Sequence, residues 1–361
     1  MDRLIDGFGR RFRYLRLSVT EVCNFRCTYC LPDGFKKTGA QSFLSVPEIG
    51  RLTDAFAALG VGKVRLTGGE PSVRRDLGEI IGRVAASPGV GKVALTTNGW
   101  NLARHVAGWR AAGLTNLNVS IDSLDPQAFH RITGHDRLGA VLAGLDAALA
   151  LGVPSVKINA VLLKESGEDA FGRFADFVRD RPVAARFIEL MRTGDNAEYF
   201  ARQHVSGDAL RDWLTRRGWT PAPRGHDDGP ATEFSHPDYA GRIGLIAPYA
   251  PGFCDGCNRL RVTARGKLRL CLFGEGGVDL RDLLGMTPEN LSRSFATLAD
   301  YGVAVHGPEV SIGRTVVLER LAKPDPLIDT HLHPPDHLVG MAEREFRASQ
   351  THRKLVGGAY S

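Results

Sequence analysis

All six cysteines of the chain fall into two groups of three: Cys23, Cys27 and Cys30, then Cys254, Cys257 and Cys271. Three thiolates hold three corners of a cubic iron-sulfur cluster and leave its fourth iron open to a small chelating molecule, so the partition points to two clusters with two open irons. The first group is spaced Cys-x3-Cys-x2-Cys, just after the apolar run Tyr14–Val19, so its sulfurs can converge from one short loop. Structural zinc sites use similar gaps, but they normally close with four protein ligands, and neither group has a fourth Cys or His nearby. On spacing alone zinc stays open as the alternative. Disulfides fit less well, because a chain of 361 residues needs no staples and Met1–Asp6 does not read as a secretory leader; reduced thiols and a cytoplasmic location are expected.

With 43% hydrophobic residues and no apolar run near the length of a membrane span, the chain can bury a large core and is not expected to cross a membrane. Its formal charge of +6 has no basic block or aromatic-interleaved basic stripe behind it, so nucleic acid is not the expected partner. Scattered Arg and Lys suit a polyphosphate instead.

These groups need a scaffold, and the pattern from Tyr14 to Leu190 supplies one. Short β-branched runs alternate with helix-like stretches, which predicts parallel strands with helical crossovers. Strands are expected at Tyr14–Val19, Lys63–Thr67, Lys92–Thr96, Asn116–Ile121, Ser155–Val161 and Ala185–Leu190. Ser45-Val-Pro-Glu48 reads as a capping box, after which Ile49, Leu52, Phe56 and Leu59 repeat at helical spacing until Gly60. Leu138, Val141, Leu142, Leu145 and Leu149 repeat likewise before Gly152. Six units are too few for an eight-stranded barrel, so the expected fold is α/β: an incomplete (βα)6 TIM-like barrel with a lateral opening, ahead of a flat doubly wound sheet. The barrel is assigned to residues 1–220 and a C-terminal extension with a flexible tail to residues 221–361. Within the extension, Thr220–Pro237 is rich in Gly, Pro and His and reads as an exposed connection. Arg259–Thr263 and Lys267–Leu270 read as a hairpin that carries the second cysteine group.

Ligands of parallel α/β barrels gather beyond the carboxyl ends of the strands. There the chain places Thr67-Gly-Gly-Glu-Pro71, Thr96-Thr-Asn-Gly99 and Ser120-Ile-Asp-Ser123. Paired glycines let backbone approach a ligand, and the Glu70 carboxylate could accept from an amine. Each of these turns taken alone is an ordinary loop. Together with the first cysteine group, the Gly-Gly-Glu-Pro turn at the next strand closely resembles the radical S-adenosylmethionine (radical SAM) superfamily. The resemblance implies that Cys23, Cys27 and Cys30 are the catalytic cluster ligands, that the open iron chelates S-adenosylmethionine, and that its reductive cleavage yields a 5′-deoxyadenosyl radical. It places Tyr29 near the adenine, with Gly69, Thr97 and Ser120 lining the cosubstrate site.

A narrower resemblance rests on Leu15–Thr20, Arg65–Pro71, Lys157–Val161, Arg186–Met191 and Phe253-Cys-x2-Cys-Asn-Arg-Leu-Arg261, with Cys271 closing the second group. These segments are similar to the GTP 3′,8-cyclase family, which opens molybdenum cofactor biosynthesis. The family's pattern implies a second 4Fe-4S cluster on Cys254, Cys257 and Cys271 whose open iron takes the guanine of GTP. It implies that Arg16, Arg65, Lys157, Arg186, Arg259 and Arg261 hold the triphosphate and ribose. It also implies a flavodoxin or ferredoxin as electron donor, a cyclic pyranopterin monophosphate synthase downstream, and a homodimer. A radical enzyme that modifies another nucleotide, or a peptide, is the rival reading. Lys157 and Arg186 lie near the starts of their strands, so they can serve only if they point into a wide barrel, where an anionic ligand would offset the cost of burying them. Arg259 and Arg261 share one face by the strand period of two. Two features depart from the family: Ala359-Tyr-Ser361 follows the Gly357-Gly358 pair, and Asp329-Thr-His-Leu-His333 imitates the metal-binding opening of amidohydrolase barrels. With Pro334-Pro335 directly behind it, the Asp329, His331 and His333 segment reads as a loop.

Overall fold

The computed structural model describes residues 4–5, 10–37, 42–193, 196–223, 229–269 and 278–286. Cys271, the Asp329–His333 segment and the Gly357-Gly358 tail lie outside the described residues. Strands and helices alternate from the start: β1 (Tyr14–Thr20), α1 (Val46–Ala58), β2 (Lys63–Gly68), α2 (Leu77–Ala85), β3 (Lys92–Thr97), α3 (Leu102–Ala111), β4 (Asn116–Ser120), α4 (Pro126–Thr133), α5 (Leu138–Ala150), β5 (Ser155–Leu162), α6 (Gly167–Arg179) and β6 (Ala184–Glu189). The rest comprises α7 (Ala197–Gln203), α8 (Asp208–Arg216), β7 (Thr220–Pro221), β8 (Thr232–Ser235), β9 (Arg242–Ile246), β10 (Arg259–Val262), β11 (Lys267–Arg269) and β12 (Val278–Asp279).

The predicted capping box forms. Glu48 N–H donates to Ser45 Oγ (3.4 Å) and Ser45 N–H donates back to Glu48 Oε2 (2.7 Å), starting α1 with Pro47 in its first turn. Ile49, Leu52 and Phe56 of that helix are buried, and Gly60 leaves it at φ +94°. Strands alternate by the same logic. Leu15, Leu17, Val19, Val64, Leu66, Val93, Leu95, Leu117, Val119 and Ile158 are buried in one hydrophobic core, while alternate positions such as Arg16, Ser18, Arg65, Asn118 and Lys157 carry polar groups.

Strands β1 to β6 are parallel and adjacent in chain order. Two later strands extend the same sheet, β9 beside β6 and β10 beside β1, both parallel to their neighbours. Antiparallel β8 and β7 finish one edge, and β11 and β12 the other. The sheet is curled. In a flat sheet β2 and β6 would be four spacings, about 19 Å, apart, yet Arg186 on β6 is close enough to Lys63 on β2 to disfavour its charge. This is an incomplete TIM-like barrel with its extension joined to both edges.

The segment Thr220–Pro237 differs from the expected connection: β7 and β8 pair within it, and β9, also not foreseen, carries that hairpin onto β6. Thr232-Glu-Phe-Ser235 is a short alternating strand whose signal is hidden by the Gly, Pro and His around it.

Candidate active site

The first cysteine loop leaves the carboxyl end of β1 and is pinned on both sides. Arg26 N–H and Thr28 N–H donate to Thr133 O (3.3 Å) and Ile132 O (2.9 Å) at the end of α4. Phe25 is buried edge-on against Trp100 and Phe129. Inside the loop, Cys30 N–H and Leu31 N–H both donate to Cys27 O, which folds the chain back so that the thiols share one side. Cys23 and Cys27 are half-buried and Cys30 is exposed. Burial pushes all three thiols up in pKa, and for Cys23 and Cys27 the neighbouring thiols add to it. Such a set binds as thiolates only around a strongly cationic group. A structural zinc normally closes with four protein ligands, whereas three thiolates from one loop are the ligand set of a cluster with an open iron. The set fits an iron-sulfur cluster.

The Gly68-Gly69-Glu70 turn locks onto this loop. Gly69 N–H donates to Thr20 O (3.0 Å) and Glu70 N–H to Val22 O (2.8 Å). A Cβ on Gly68 would stand 2.4 Å from Thr20 O, and one on Gly69 the same distance from Val22 O, so only glycine permits the approach. Glu70 is buried and does not await an amine, as the sequence had suggested. Its carboxylate accepts from Thr97 Oγ1 (2.7 Å), Asn98 N–H (2.6 Å) and Ser72 N–H (2.9 Å). Thr97 is therefore buried, with its hydroxyl used twice, since Gly99 N–H donates to it as well. Ser120 ends β4 half-buried, level with Asn159 of β5. Tyr29 is partly exposed, and its hydroxyl donates to Asp122 Oδ2 (2.9 Å), while Val161 N–H donates to Oδ1 (2.8 Å). Burial raises Asp122 to about 6 despite both bonds.

Below these loops the barrel interior is basic. Arg16, Arg65 and Arg261 sit side by side at one level of β1, β2 and β10, and Tyr14, Lys63 and Arg259 at the level beneath. Arg65 donates from Nε to Tyr14 Oη and from Nη1 to Thr96 Oγ1 (3.0 Å). Arg16 Nε is buried without a hydrogen-bond partner. Burial opposes ionisation of Tyr14, yet Arg65, Arg16 and Lys63 outweigh it and bring the phenol down to about 7. Lys157 and Arg186 do face inward, as their position required, and meet Glu233 of β8 at 3.4 Å from Nζ and 3.0 Å from Nε. Lys63, Tyr14 and Glu233 went unnoticed in the sequence. The first two share the strand period with Arg65 and Arg16, and that signal could have found them; Glu233 had none.

Because β10 runs parallel to β1, the loop before β10 lies at the opposite end of the barrel from the loop after β1. Cys254 and Cys257 are in that loop, so they are separated from the first cysteine group by the length of β1, about 20 Å, with the arginines between. Arg10 Nη1 donates to Cys254 O (3.2 Å), and Arg259 Nη2 lies 3.8 Å from Cys257 Sγ. A cavity of about 190 Å³ adjoins this loop at Gly229, Thr232, Phe253 and Arg259. A second, of about 430 Å³, opens at Arg13, Tyr14, Lys63 and Lys92, and Asn258 borders both.

Residues 17–178 match the Radical SAM superfamily and residues 183–300 match Molybdenum Cofactor Synthesis C. In fold the chain is similar to Streptococcus suis SuiB bound to S-adenosylmethionine, with a TM-score of 0.57 at 14% identity over 76% of this chain and 65% of that one. Fold and cysteine loop thus define a radical SAM protein. Curated relatives called GTP 3′,8-cyclase, from two strains of Stenotrophomonas maltophilia, are 55% identical over 322 residues, covering 89% of this chain and 99% of each relative. The chain belongs to the GTP 3′,8-cyclase family. Among the described residues no helix is long and apolar enough to cross a membrane.

Proposed function

We propose that the chain cyclises GTP to (8S)-3′,8-cyclo-7,8-dihydroguanosine 5′-triphosphate, the first step of molybdenum cofactor biosynthesis. The observation that carries this reading is the stack of inward cations between the first cysteine group at one end of the barrel and Cys254 and Cys257 at the other. S-adenosylmethionine, bound with the cluster of Cys23, Cys27 and Cys30, supplies the radical chemistry that removes the 3′ hydrogen of the ribose. Every other part of the task falls to the chain. Tyr29, Gly69, Thr97 and Ser120 border the cosubstrate, and the Asp122 bond fixes the Tyr29 ring. Arg16, Arg65, Lys157, Arg186, Arg259 and Arg261 hold the triphosphate and ribose. GTP carries about four negative charges, and convergent guanidinium groups in a dry interior bind phosphate oxygens strongly and with fixed direction. Lys63, level with Tyr14 and next to Arg65, joins them.

Cys254, Cys257 and Cys271 would hold a second 4Fe-4S cluster, whose open iron would offer the guanine a ligand site. The substrate would then span the barrel, with its ribose carbon toward the first cysteine loop and away from water. The ring closes when the 3′ carbon joins carbon 8 of guanine, and one electron and one proton complete the product. A small electron-transfer protein such as a flavodoxin or ferredoxin supplies the reductant, and a cyclic pyranopterin monophosphate synthase takes the product. Residues 1–220 form the radical-generating barrel and residues 221–361 the substrate-anchoring extension.

Anaerobic incubation of cluster-reconstituted protein with S-adenosylmethionine, GTP and dithionite tests this. Cyclised nucleotide should accumulate alongside 5′-deoxyadenosine, whose formation should depend on GTP. Formation of 5′-deoxyadenosine at a rate indifferent to GTP, with no cyclised nucleotide, would refute the assignment.

A further inference from the structure

Glu233 stands where an enzyme for an anionic substrate would seem to need no carboxylate. It lies on β8, two strands from Arg186, and the two meet because Gly244 of β9 lies between them. A Cβ on Gly244 would stand 2.8 Å from Arg186 Cγ, so the missing side chain is the slot through which Arg186 crosses. Arg186 reaches Glu233 Oε1 from Nε at 3.0 Å and also from Nη2, and Lys157 Nζ reaches the same oxygen at 3.4 Å. Arg242, half in solvent at the start of β9, holds Oε2 at 3.3 Å. The carboxylate is only 16% exposed. Burial by itself would raise its pKa, but Arg186 and Lys157 bring it down to about 2, so it is an anion at any working pH.

We infer that Glu233 is an internal anion that competes with the substrate's phosphates for Lys157 and Arg186 and so sets how tightly the barrel holds a phosphate. This rests on the reading that those two cations bind the triphosphate. A ligand that uses both must first part them from Glu233, and that cost is the same for every anion. GTP recovers it through the guanine site and the remaining arginines. Inorganic phosphate has no such further contacts, so the carboxylate keeps small anions out of the barrel and eases release of the phosphorylated product.

The test is anaerobic titration of the cluster-reconstituted protein with GTP, guanosine and inorganic phosphate. Glu233→Gln should tighten GTP about three- to tenfold, the scale of one partly buried charge pair, leave guanosine unchanged, and tighten inorganic phosphate, titrated in the absence of GTP, by a similar factor. Glu233→Asp, which keeps the charge but withdraws it by one methylene, should move GTP in the same direction by less, and it carries the test should the Gln variant fold poorly. Weaker GTP binding in either variant would mean that Glu233 orients Arg186 for the substrate, and unchanged binding would mean that it does not compete; both overturn the proposal. Lys157→Ala separates the two readings. Should it leave GTP affinity untouched, the phosphate role of Lys157 fails first, and the inference about Glu233 goes with it.

Discussion

The carboxyl-terminal end of the barrel and its interior are both lined with buried polar groups, but their hydrogen bonds end in different places. At the carboxyl end Glu70 takes Thr97, Asn98 and the Ser72 N–H, and Asp122 takes Tyr29 and Val161, so these carboxylates are satisfied within the protein, although Ser72 Oγ is left without a partner. In the interior Arg16, Lys63, Arg65, Lys157, Arg186 and Arg259 crowd together, Arg16 Nε has no partner, and burial or like charge lowers the pKa of Arg16, Lys63 and Lys157. A finished network makes a rigid rim for the chemistry, and surplus buried charge makes a receptor for an anion from outside. Rim substitutions should therefore act on stability or on radical formation, and interior substitutions on substrate binding.

The largest effect belongs to the rim's chemical group. Cys27→Ala should cut product formation by more than about a thousandfold, since a cluster's ligands act as a unit; iron content and 5′-deoxyadenosine yield check it, and normal yield would remove the loop from the chemistry. Arg65→Ala comes next. It should raise KM for GTP by about ten- to a hundredfold while slow, GTP-independent cleavage of S-adenosylmethionine continues, which a nucleotide and 5′-deoxyadenosine balance would reveal. Glu70→Ala strands three donors and should cost about 2–4 kcal/mol of stability, read as a lower midpoint in denaturant, with the KM for GTP nearly unchanged in whatever folds. A selective loss of GTP affinity there would erase the distinction between the two regions.

The smallest effect is a pH dependence. Tyr14 has a folded pKa of about 7 against an ordinary value of 10.0. A phenol whose pKa is depressed on folding adds nothing below the folded value, gains through the interval and contributes fully above the unfolded one. The stability of the unaltered protein relative to Tyr14→Phe should therefore rise between about pH 7 and pH 10. A flat difference across that window would mean that the cations do not act on the phenol.

Much of this was legible in the sequence because its signals are local. Cysteine spacing, the Ser45 capping box, the glycine pair and six alternations of strand and helix each depend on residues a few positions apart. An inward position for Lys157 and Arg186 followed from their place near the starts of their strands once a barrel was assumed, and a shared face for Arg259 and Arg261 from the strand period. What could not be seen depends on long-range pairing. Glu233 meets Arg186 across 47 positions and through the slot left by Gly244, and β9 joins β6 with two helices and a hairpin between. Glu70 was misjudged for a related reason, because its partners sit on the next strand's loop, where they convert an apparent ligand group into a structural one.

In the proposed reaction GTP lies along the cations with its ribose turned toward the first cysteine loop. Anaerobic turnover with GTP deuterated at the 3′ position is the decisive measurement. Deuterium should appear in 5′-deoxyadenosine; 5′-deoxyadenosine that forms free of deuterium while labelled GTP is consumed would rule this arrangement out.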